Sequence, residues 1–271
     1  MVRRLYGLSA DQFRHPVDWQ ATQSLQQIPG LGLLIQNVLG STASQLFYLD
    51  NLASSIQIHE QQLPELHRLL VEACQILDME VPQLYIRQNP VPNAYTFAMR
   101  GQQPFIVLHS SLLDLLDPPE VQAVLAHELG HLKCNHGLYL TMANLLLLSA
   151  GLIPFGELLQ QTLQEQLLQW LQCAEFSCDR AALLVTQKAE TVISVLMKLC
   201  GGSPKLAGQL NVAAFLQQAR TYAELDRDEW QLMLKQVQGL GRTHPVPVLR
   251  AREIDRWFLS HSYADILQRQ G

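Results

Sequence analysis

Two histidines one helical turn apart flank a glutamate in the segment His-Glu-Leu-Gly-His at residues 127–131. On a helix, the imidazoles of His127 and His131 lie on one face and can bind the same metal ion. Glu128 is offset around the helix, so its carboxylate can accept a proton from a water molecule beside the metal and return it to a leaving amine. This HExxH spacing predicts one catalytic zinc ion per chain, used to hydrolyse peptide bonds.

A catalytic zinc ion usually has three protein ligands and one open position, so a third ligand must come from elsewhere in the chain. His136 follows His131 by five residues, and we expect it at the end of the helix, facing away from the pair. Glu175 and Asp179 lie four residues apart on a second predicted helix. Glu175 is the better candidate for the third ligand, and Asp179 is a candidate for a carboxylate that orients a ligand histidine.

Cysteines offer competing soft ligands for the same metal ion. Cys134 and Cys178 lie nearest to the two motifs, but neither shares a helix face with the histidine pair or the acidic pair at the required spacing. The other interpretation of both thiols is packing in the apolar core. The sequence favours Glu175 and leaves the two thiols as alternatives.

The helix that carries the histidine pair has clear start signals. Asp117 is a favourable N-cap, Pro118 occupies the first helical position, and Glu120 stands at the third. Residues 121–126 are largely apolar, which predicts a buried helix rather than a solvated one. A histidine or glutamate on a buried helix needs a partner, and a metal ion supplies one.

The surrounding elements follow from periodicity and residue type. Apolar residues at helical spacing predict an amphipathic helix over residues 63–77. β-Branched and aromatic residues predict a small sheet of three short pieces, with a hairpin turn at residues 100–102; the pieces are 84–87, 93–98 and 104–109. Three further segments are predicted to be helical: 157–187, 191–199 and 246–260.

The chain between His131 and Glu175 must run out and return, because both are candidate ligands of one ion. Residues 137–156 carry no charge and could just cross a bilayer as one helix. A single crossing would separate the ligands, and a return through residues 157–172 would place costly glutamates and glutamines in hydrocarbon. We therefore expect a hairpin at 137–156 that packs on the N-terminal segment, or a shallow hairpin that touches lipid.

Composition narrows the class of protein. Of 271 residues, 48% are hydrophobic and 16% are charged, and the formal net charge of −5 gives no broad attraction to nucleic acid. The five cysteines are scattered, and the N-terminus contains no apolar stretch of signal-peptide length. We expect reduced thiols, no nucleic-acid partner and a cytoplasmic location, with peripheral membrane contact through residues 137–156 as the alternative.

Several motifs occur in a characteristic order along the chain. They are Asn-Ala-Tyr-Thr-Phe-Ala at 93–98, Val-Leu-Ala-His-Glu-Leu-Gly-His at 124–131, Glu-Phe-Ser-Cys-Asp-Arg at 175–180, and Thr-His-Pro at 243–245 followed by Arg250. Together they resemble the HtpX-type zinc metallopeptidases, relatives of the CAAX prenyl endopeptidases, over about residues 82–257. The resemblance implies that His127, His131 and Glu175 bind the zinc ion. It also implies that Glu128 is the general base and Asp179 the supporting carboxylate.

The resemblance also implies roles for two residues outside the helical motifs. Asn93 and His244 would bind the substrate, and His244 would assist catalysis. A strand that carries Asn93 can pair with an extended peptide, and a histidine donor near the metal can stabilise the developing oxyanion. The other interpretations are a turn asparagine and a helix-cap histidine before a proline.

Taken together, these patterns predict a mainly helical α+β fold, a zincin-like domain of the gluzincin type with a small sheet and an active-site helix. Residues 1–60 are expected to form a helical arm that packs on a peptidase domain at 61–271. The predicted activity is a zinc-dependent endopeptidase acting on a peptide or protein. The rival functions are an inactive zinc-binding scaffold and a membrane-surface binding module; the scaffold is disfavoured because a structural site needs no free base such as Glu128.

Overall fold

The computed structural model describes residues 2–28, 41–98, 103–137, 139–141, 157–224 and 244–268. Helices dominate these ranges, which confirms the mainly helical α+β class. The α-helices, in chain order, are α1 Ala10–Phe13, α2 Pro16–Gln26, α3 Ser41–Ser54, α4 Pro64–Leu77, α5 Ser110–Leu115, α6 Pro118–Lys133, α7 Glu157–Thr186, α8 Ala189–Gly201, α9 Val212–Glu224, α10 Pro247–Phe258 and α11 His261–Gln268.

Four short strands form one mixed sheet: β1 Ile56–Ile58, β2 Gln83–Arg87, β3 Ala94–Phe97 and β4 Phe105–His109. Their order is β1-β2-β4-β3, with β2 and β4 parallel and the outer pairs antiparallel. The three predicted pieces are confirmed as β2, β3 and β4, whereas β1 lies in a segment expected to be helical. The hairpin turn predicted at 100–102 lies outside the described residues. The topology places β3 at one edge of the sheet.

Helix α6 begins at the predicted capping box. The Asp117 side chain accepts a hydrogen bond from the Glu120 backbone N–H at 3.1 Å, and Glu120 Oε2 accepts one from the Asp117 N–H at 2.9 Å. The Glu120 carboxylate also accepts hydrogen bonds from Ser194 Oγ and Lys198 Nζ, each at 2.6 Å. The same residue therefore caps α6 and ties its first turn to α8.

Helices α6 and α7 approach very closely at Gly130. A Cβ atom at this position would lie 2.9 Å from both the Cys178 Cα atom and the Ala181 Cβ atom. Leu125 and Leu129 of the same helix are fully buried in the core. The missing side chain at Gly130 lets the helix with the histidine pair reach the helix with the acidic pair.

We expect Gly130→Ala to lower the free energy of unfolding by about 1–3 kcal/mol, since the added methyl group meets backbone that cannot move aside. Urea denaturation measures this change. The control is Gly208→Ala, because nothing lies within 4 Å of a Cβ atom at Gly208. Equal stability of the two variants would contradict the close approach of α6 and α7.

The long segment between the two motifs is described only in part. Residues 138 and 142–156 lie outside the described ranges, so the hairpin expected at 137–156 stays a prediction. Helix α7 confirms the helix predicted at 157–187. In the part of the chain that is described, none of the helices has the length and apolar character that a membrane span needs.

Helix α2 packs on α7, where Trp170 Nε1 donates to Thr22 Oγ1 at 2.8 Å. The division of the chain at residue 60 stays a prediction.

Candidate metal centre and active site

The three side chains expected to bind the metal meet between α6 and α7. His127 Nε2 lies 3.3 Å from Glu175 Oε2, and His131 Nε2 lies 3.4 Å from Glu175 Oε1. Ligand atoms at zinc-binding distance from one tetrahedral ion are separated by about 3.3 Å. The observed spacing therefore fits a single zinc ion in contact with all three residues.

Glu175 is the most deeply buried member of this group. Its side chain is 1% exposed, and neither carboxylate oxygen has a hydrogen-bond partner of acceptable geometry among the described residues. Nitrogen atoms nevertheless lie nearby, with His244 Nδ1 at 2.8 Å and Arg250 NH1 at 3.0 Å from Oε2. We interpret these as ion-pair contacts that lack hydrogen-bond direction. A buried carboxylate without directed donors is suited to a cation.

The electrostatics of the site favour positive charge beside Glu175. Burial alone would raise the pKa of the Glu175 carboxyl, but the charges of His244, His127 and Arg250 hold that pKa well below its usual value. Burial would lower the pKa of His127, but Glu175 and Asp179 raise it to about 10. The two carboxylates thus attract a positive charge to the His127 ring, which a proton or a metal ion can supply.

Asp179 lies behind His127, as the sequence predicted for an orienting carboxylate. Its Oδ1 is 3.1 Å from His127 Nδ1. Arg250 holds the same carboxylate with two hydrogen bonds, from NH2 to Oδ1 at 2.6 Å and from Nε to Oδ2 at 2.8 Å. Although burial raises the pKa of Asp179, Arg250 and His127 lower it further, so the carboxylate is ionised. His127 Nδ1–H can then donate to Asp179, which leaves Nε2 free to bind a metal.

Glu128 lies one position along α6 from the first histidine and lines a cavity beside the site. Its side chain is held by Thr96 of β3, whose hydroxyl donates to Glu128 Oε2 at 2.7 Å. Both residues are largely buried. The sequence does not predict this role for Thr96, because no pattern of spacing relates a strand hydroxyl to a glutamate 32 residues later.

A cavity of about 570 Å³ opens beside the site. Asn93, His127, Glu128 and His244 line it together with apolar side chains of α8. The Asn93 carbonyl accepts the backbone N–H of His109 at 2.9 Å, which fixes the start of the edge strand β3. The structure therefore brings both residues implied by the resemblance, Asn93 and His244, to the same cavity as the candidate base.

Cys178 remains the competing ligand. Its Sγ atom belongs to a group with His127 and His131 whose ligand atoms all lie within 4.8 Å of one another. Burial raises the pKa of the Cys178 thiol well above its usual value, with further contributions from Cys134 and Glu175. Zinc binds the thiolate, whose formation burial disfavours at Cys178, whereas the Glu175 carboxylate is already ionised. These observations favour Glu175.

The prediction that His136 faces away from the histidine pair is wrong. Helix α6 ends at Lys133, and Asn135 adopts the left-handed conformation with φ 58°. The N–H groups of Asn135 and His136 then bond to the carbonyls of Leu132 and His131, at 3.1 and 2.9 Å. This Schellman-type turn folds the chain back, so that His136 Nδ1 lies 3.2 Å from His131 Nδ1. Asn135, a residue tolerant of this conformation, was the only sequence signal.

Comparisons with known proteins agree with these features. The model of peptidase family M48 matches residues 60–258. The plastoglobule-localized metallopeptidase 48, chloroplastic, of Arabidopsis thaliana is 54% identical over 97% of this chain and 76% of that protein. Protease HtpX homolog 2 of Methanosarcina mazei is 31% identical over 61% of this chain and 66% of that protein. A protease HtpX homolog of Moorella thermoacetica is 24% identical over 69% of this chain and 71% of that protein.

Proposed function

The chain belongs to peptidase family M48 and is a metalloendopeptidase, and on this premise we propose that His127, His131 and Glu175 hold one zinc ion per chain. The HtpX-type resemblance and the metal-dependent hydrolysis of peptide bonds are thereby confirmed. The observation that carries the ligand assignment is the spacing of the two Nε2 atoms from the Glu175 carboxylate, 3.3 and 3.4 Å. That spacing is the one a tetrahedral zinc site requires.

We assign Glu128 as the general base. When bound, the zinc ion supplies positive charge that polarises a substrate carbonyl and makes water acidic near neutral pH. Glu128 accepts a proton from that water and returns it to the leaving amine. Because the Thr96 hydroxyl donates to Oε2, Oε1 is the oxygen better placed to take the proton. The Thr96 hydrogen bond also keeps the carboxylate turned toward the cavity.

The substrate is a peptide or protein, and we propose that it binds in extended form along β3. This strand lies at the edge of the sheet beside the cavity, where an added strand can pair with its backbone. Asn93 stands at the start of β3 and offers its side chain to the peptide. His244 is half exposed and lies 2.8 Å from the Glu175 carboxylate, so it can donate to the oxyanion that develops on the substrate.

The expectation of a cytoplasmic location receives no support from the relatives. The most informative name among them describes a chloroplastic, plastoglobule-localised protein. We propose that this chain makes peripheral contact with a lipid surface through residues 137–156 while Glu128 performs catalysis elsewhere. Flotation of the Glu128→Gln protein with vesicles separates these functions, because lipid binding should persist when hydrolysis is lost. Vesicle binding that disappears with this substitution would contradict the proposal.

We expect purified protein to hold about one zinc ion per chain and His131→Ala to lose most of it, since two protein ligands rarely retain zinc against a chelator. Elemental analysis after dialysis against a chelator measures the retained metal. His67→Ala is the matched control, because His67 lies on α4 outside the site. Full zinc retention in the His131→Ala protein would remove His131 from the ligand set.

A further inference from the structure

We propose that Asp18 is a positioning residue for the metal site, acting through His136 to fix the ring of His131. Helix α2, near the N-terminus, would then supply a residue that orients a ligand of the metal site. The inference rests on the proposed ligand role of His131. It goes beyond the family assignment, because Asp18 lies outside the region that the family model matches, residues 60–258.

A continuous chain of side-chain contacts joins α2 to the metal ligand. His131 Nδ1 lies 3.2 Å from His136 Nδ1, and His136 Nε2 lies 3.0 Å from Asp18 Oδ2. His136 is 1% exposed and Asp18 is fully buried. Because both residues are buried, the ring nitrogens of His136 take their hydrogen bonds from protein groups. Its other polar contacts in the described residues are longer, from Nε2 to Arg14 NH2 at 3.5 Å and from Nδ1 to Cys178 Sγ at 3.8 Å.

The donors around Asp18 fix the direction of every hydrogen bond in the chain. Asp18 Oδ2 accepts from Ser177 Oγ at 2.6 Å and from Arg14 Nε at 2.8 Å. A carboxylate held in this way is ionised and only accepts, so His136 must donate from Nε2. Its Nδ1 then carries a lone pair, which accepts the Nδ1–H of His131. This proton arrangement leaves His131 Nε2 free for the metal.

The two ligand histidines are therefore supported in parallel ways. His127 donates directly to Asp179, a carboxylate on α7. His131 has no comparable direct contact with a carboxylate on its Nδ1 side in the described residues, and it reaches Asp18 only through His136. Carboxylates that orient ligand histidines commonly change metal affinity about 10- to 100-fold when removed. A relay through a second imidazole extends the same principle to a carboxylate from the N-terminal segment.

A second metal ion is the main alternative for this cluster, because ligand atoms of Asp18, Cys134 and His136 all lie within 4.8 Å of one another. The Arg14 guanidinium already supplies positive charge there, with hydrogen bonds of 2.8 and 3.0 Å to the two oxygens of Asp18. Burial also raises the pKa of Cys134 to about 12, which disfavours the thiolate that a metal ion would bind. Hydrogen bonds, rather than a metal ion, account for the contacts.

The test is the zinc dissociation constant of the full-length chain, measured by competition with a chelator. We expect Asp18→Asn and His136→Leu to raise it about 10- to 100-fold. His136→Gln should recover part of the loss, because its amide can accept from one neighbour and donate to the other. Ser24→Ala is the control: Ser24 lies on the same helix and its hydroxyl donates to the Gln20 carbonyl at 3.0 Å, so this variant should bind zinc within about 2-fold of wild type.

Two results would overturn the inference. One is wild-type zinc affinity in both the Asp18→Asn and His136→Leu proteins, provided that His131→Ala has lost zinc in the same assay. If the His131→Ala protein also keeps its zinc, the result overturns the ligand assignment instead. The other is a content of two zinc ions per wild-type chain that falls to one in His136→Leu.

A second measurement needs no variant and covers the case in which the substitutions prevent folding. Two-bond ¹H–¹⁵N NMR spectra of the histidine-labelled, zinc-loaded protein report which ring nitrogen carries each proton. We expect His136 to be protonated at Nε2 and His131 at Nδ1. A proton on His136 Nδ1 would overturn the inference, because that nitrogen could no longer accept from His131.

Discussion

Replacing Glu128 with glutamine should lower the rate of peptide hydrolysis by about 10²–10⁴-fold, the usual contribution of a general base. An amide at this position can still accept the hydrogen bond from Thr96, which lies 2.7 Å from Oε2 in the native protein, so the fold and the cavity should be preserved. It cannot accept a proton from water. Hydrolysis of fluorescein-labelled casein measures the rate, and elemental analysis should find the zinc content unchanged.

The matched control is Glu72→Gln, which neutralises a half-exposed carboxylate on α4 that pairs with Arg68. Glutamine at this position can still accept the 3.3 Å hydrogen bond that Gln122 of α6 donates to Glu72. Its hydrolysis rate should stay within about 2-fold of wild type, as expected for a solvent-exposed pair. A Glu128→Gln protein that hydrolyses casein as fast as this control would remove Glu128 from the mechanism. Loss of zinc from Glu128→Gln would show that Glu128 is a ligand instead.

Replacing Glu175 with alanine should abolish hydrolysis and weaken zinc binding by more than about 100-fold, the upper end of what loss of an orienting residue causes. The substitution removes one of the three proposed ligands and leaves His127 and His131 as the remaining two. Asp179→Asn should weaken zinc binding less, by about 10-fold, because the amide still occupies the space behind His127. Chelator competition on the folded variants ranks these effects.

Cys178→Ser provides the control for the ligand assignment, because Cys178 lies on the same helix and belongs to the same group of candidate ligand atoms. Its zinc affinity should match that of the wild-type protein within about 2-fold if Glu175 is the third ligand. The opposite ranking, with zinc lost from Cys178→Ser and kept by Glu175→Ala, would contradict the assignment.

Local signals made much of this fold predictable. The capping box at Asp117 and Glu120 fixes the start of α6 through hydrogen bonds three residues apart, and such short-range contacts can be inferred from residue types alone. The helical spacing of His127 and His131 likewise sets their common face. The sequence also singles out Glu175 as a candidate, because the need for a third ligand directs attention to acidic residues on a second helix, and the structure places its carboxylate 3.3 Å from His127 Nε2.

Long-range partners could not be inferred in the same way. Thr96 reaches Glu128 from a strand, and Arg250 reaches Asp179 across 71 residues, so neither contact leaves a pattern of spacing in the sequence. The strand β1 was missed because three residues are too few for a periodicity to emerge. His136 was misplaced because one left-handed residue, Asn135, reverses the direction in which the chain leaves the helix.

The central claim is that two histidines of α6 and one glutamate of α7 hold a single zinc ion. The most direct measurement is a crystal structure of the zinc-loaded protein with anomalous data collected at the zinc absorption edge. We expect one anomalous peak, with His127 Nε2, His131 Nε2 and a Glu175 oxygen each about 2.0–2.2 Å from it. A peak bonded to Cys178 at about 2.3 Å, with the Glu175 carboxylate outside bonding distance, would contradict the claim.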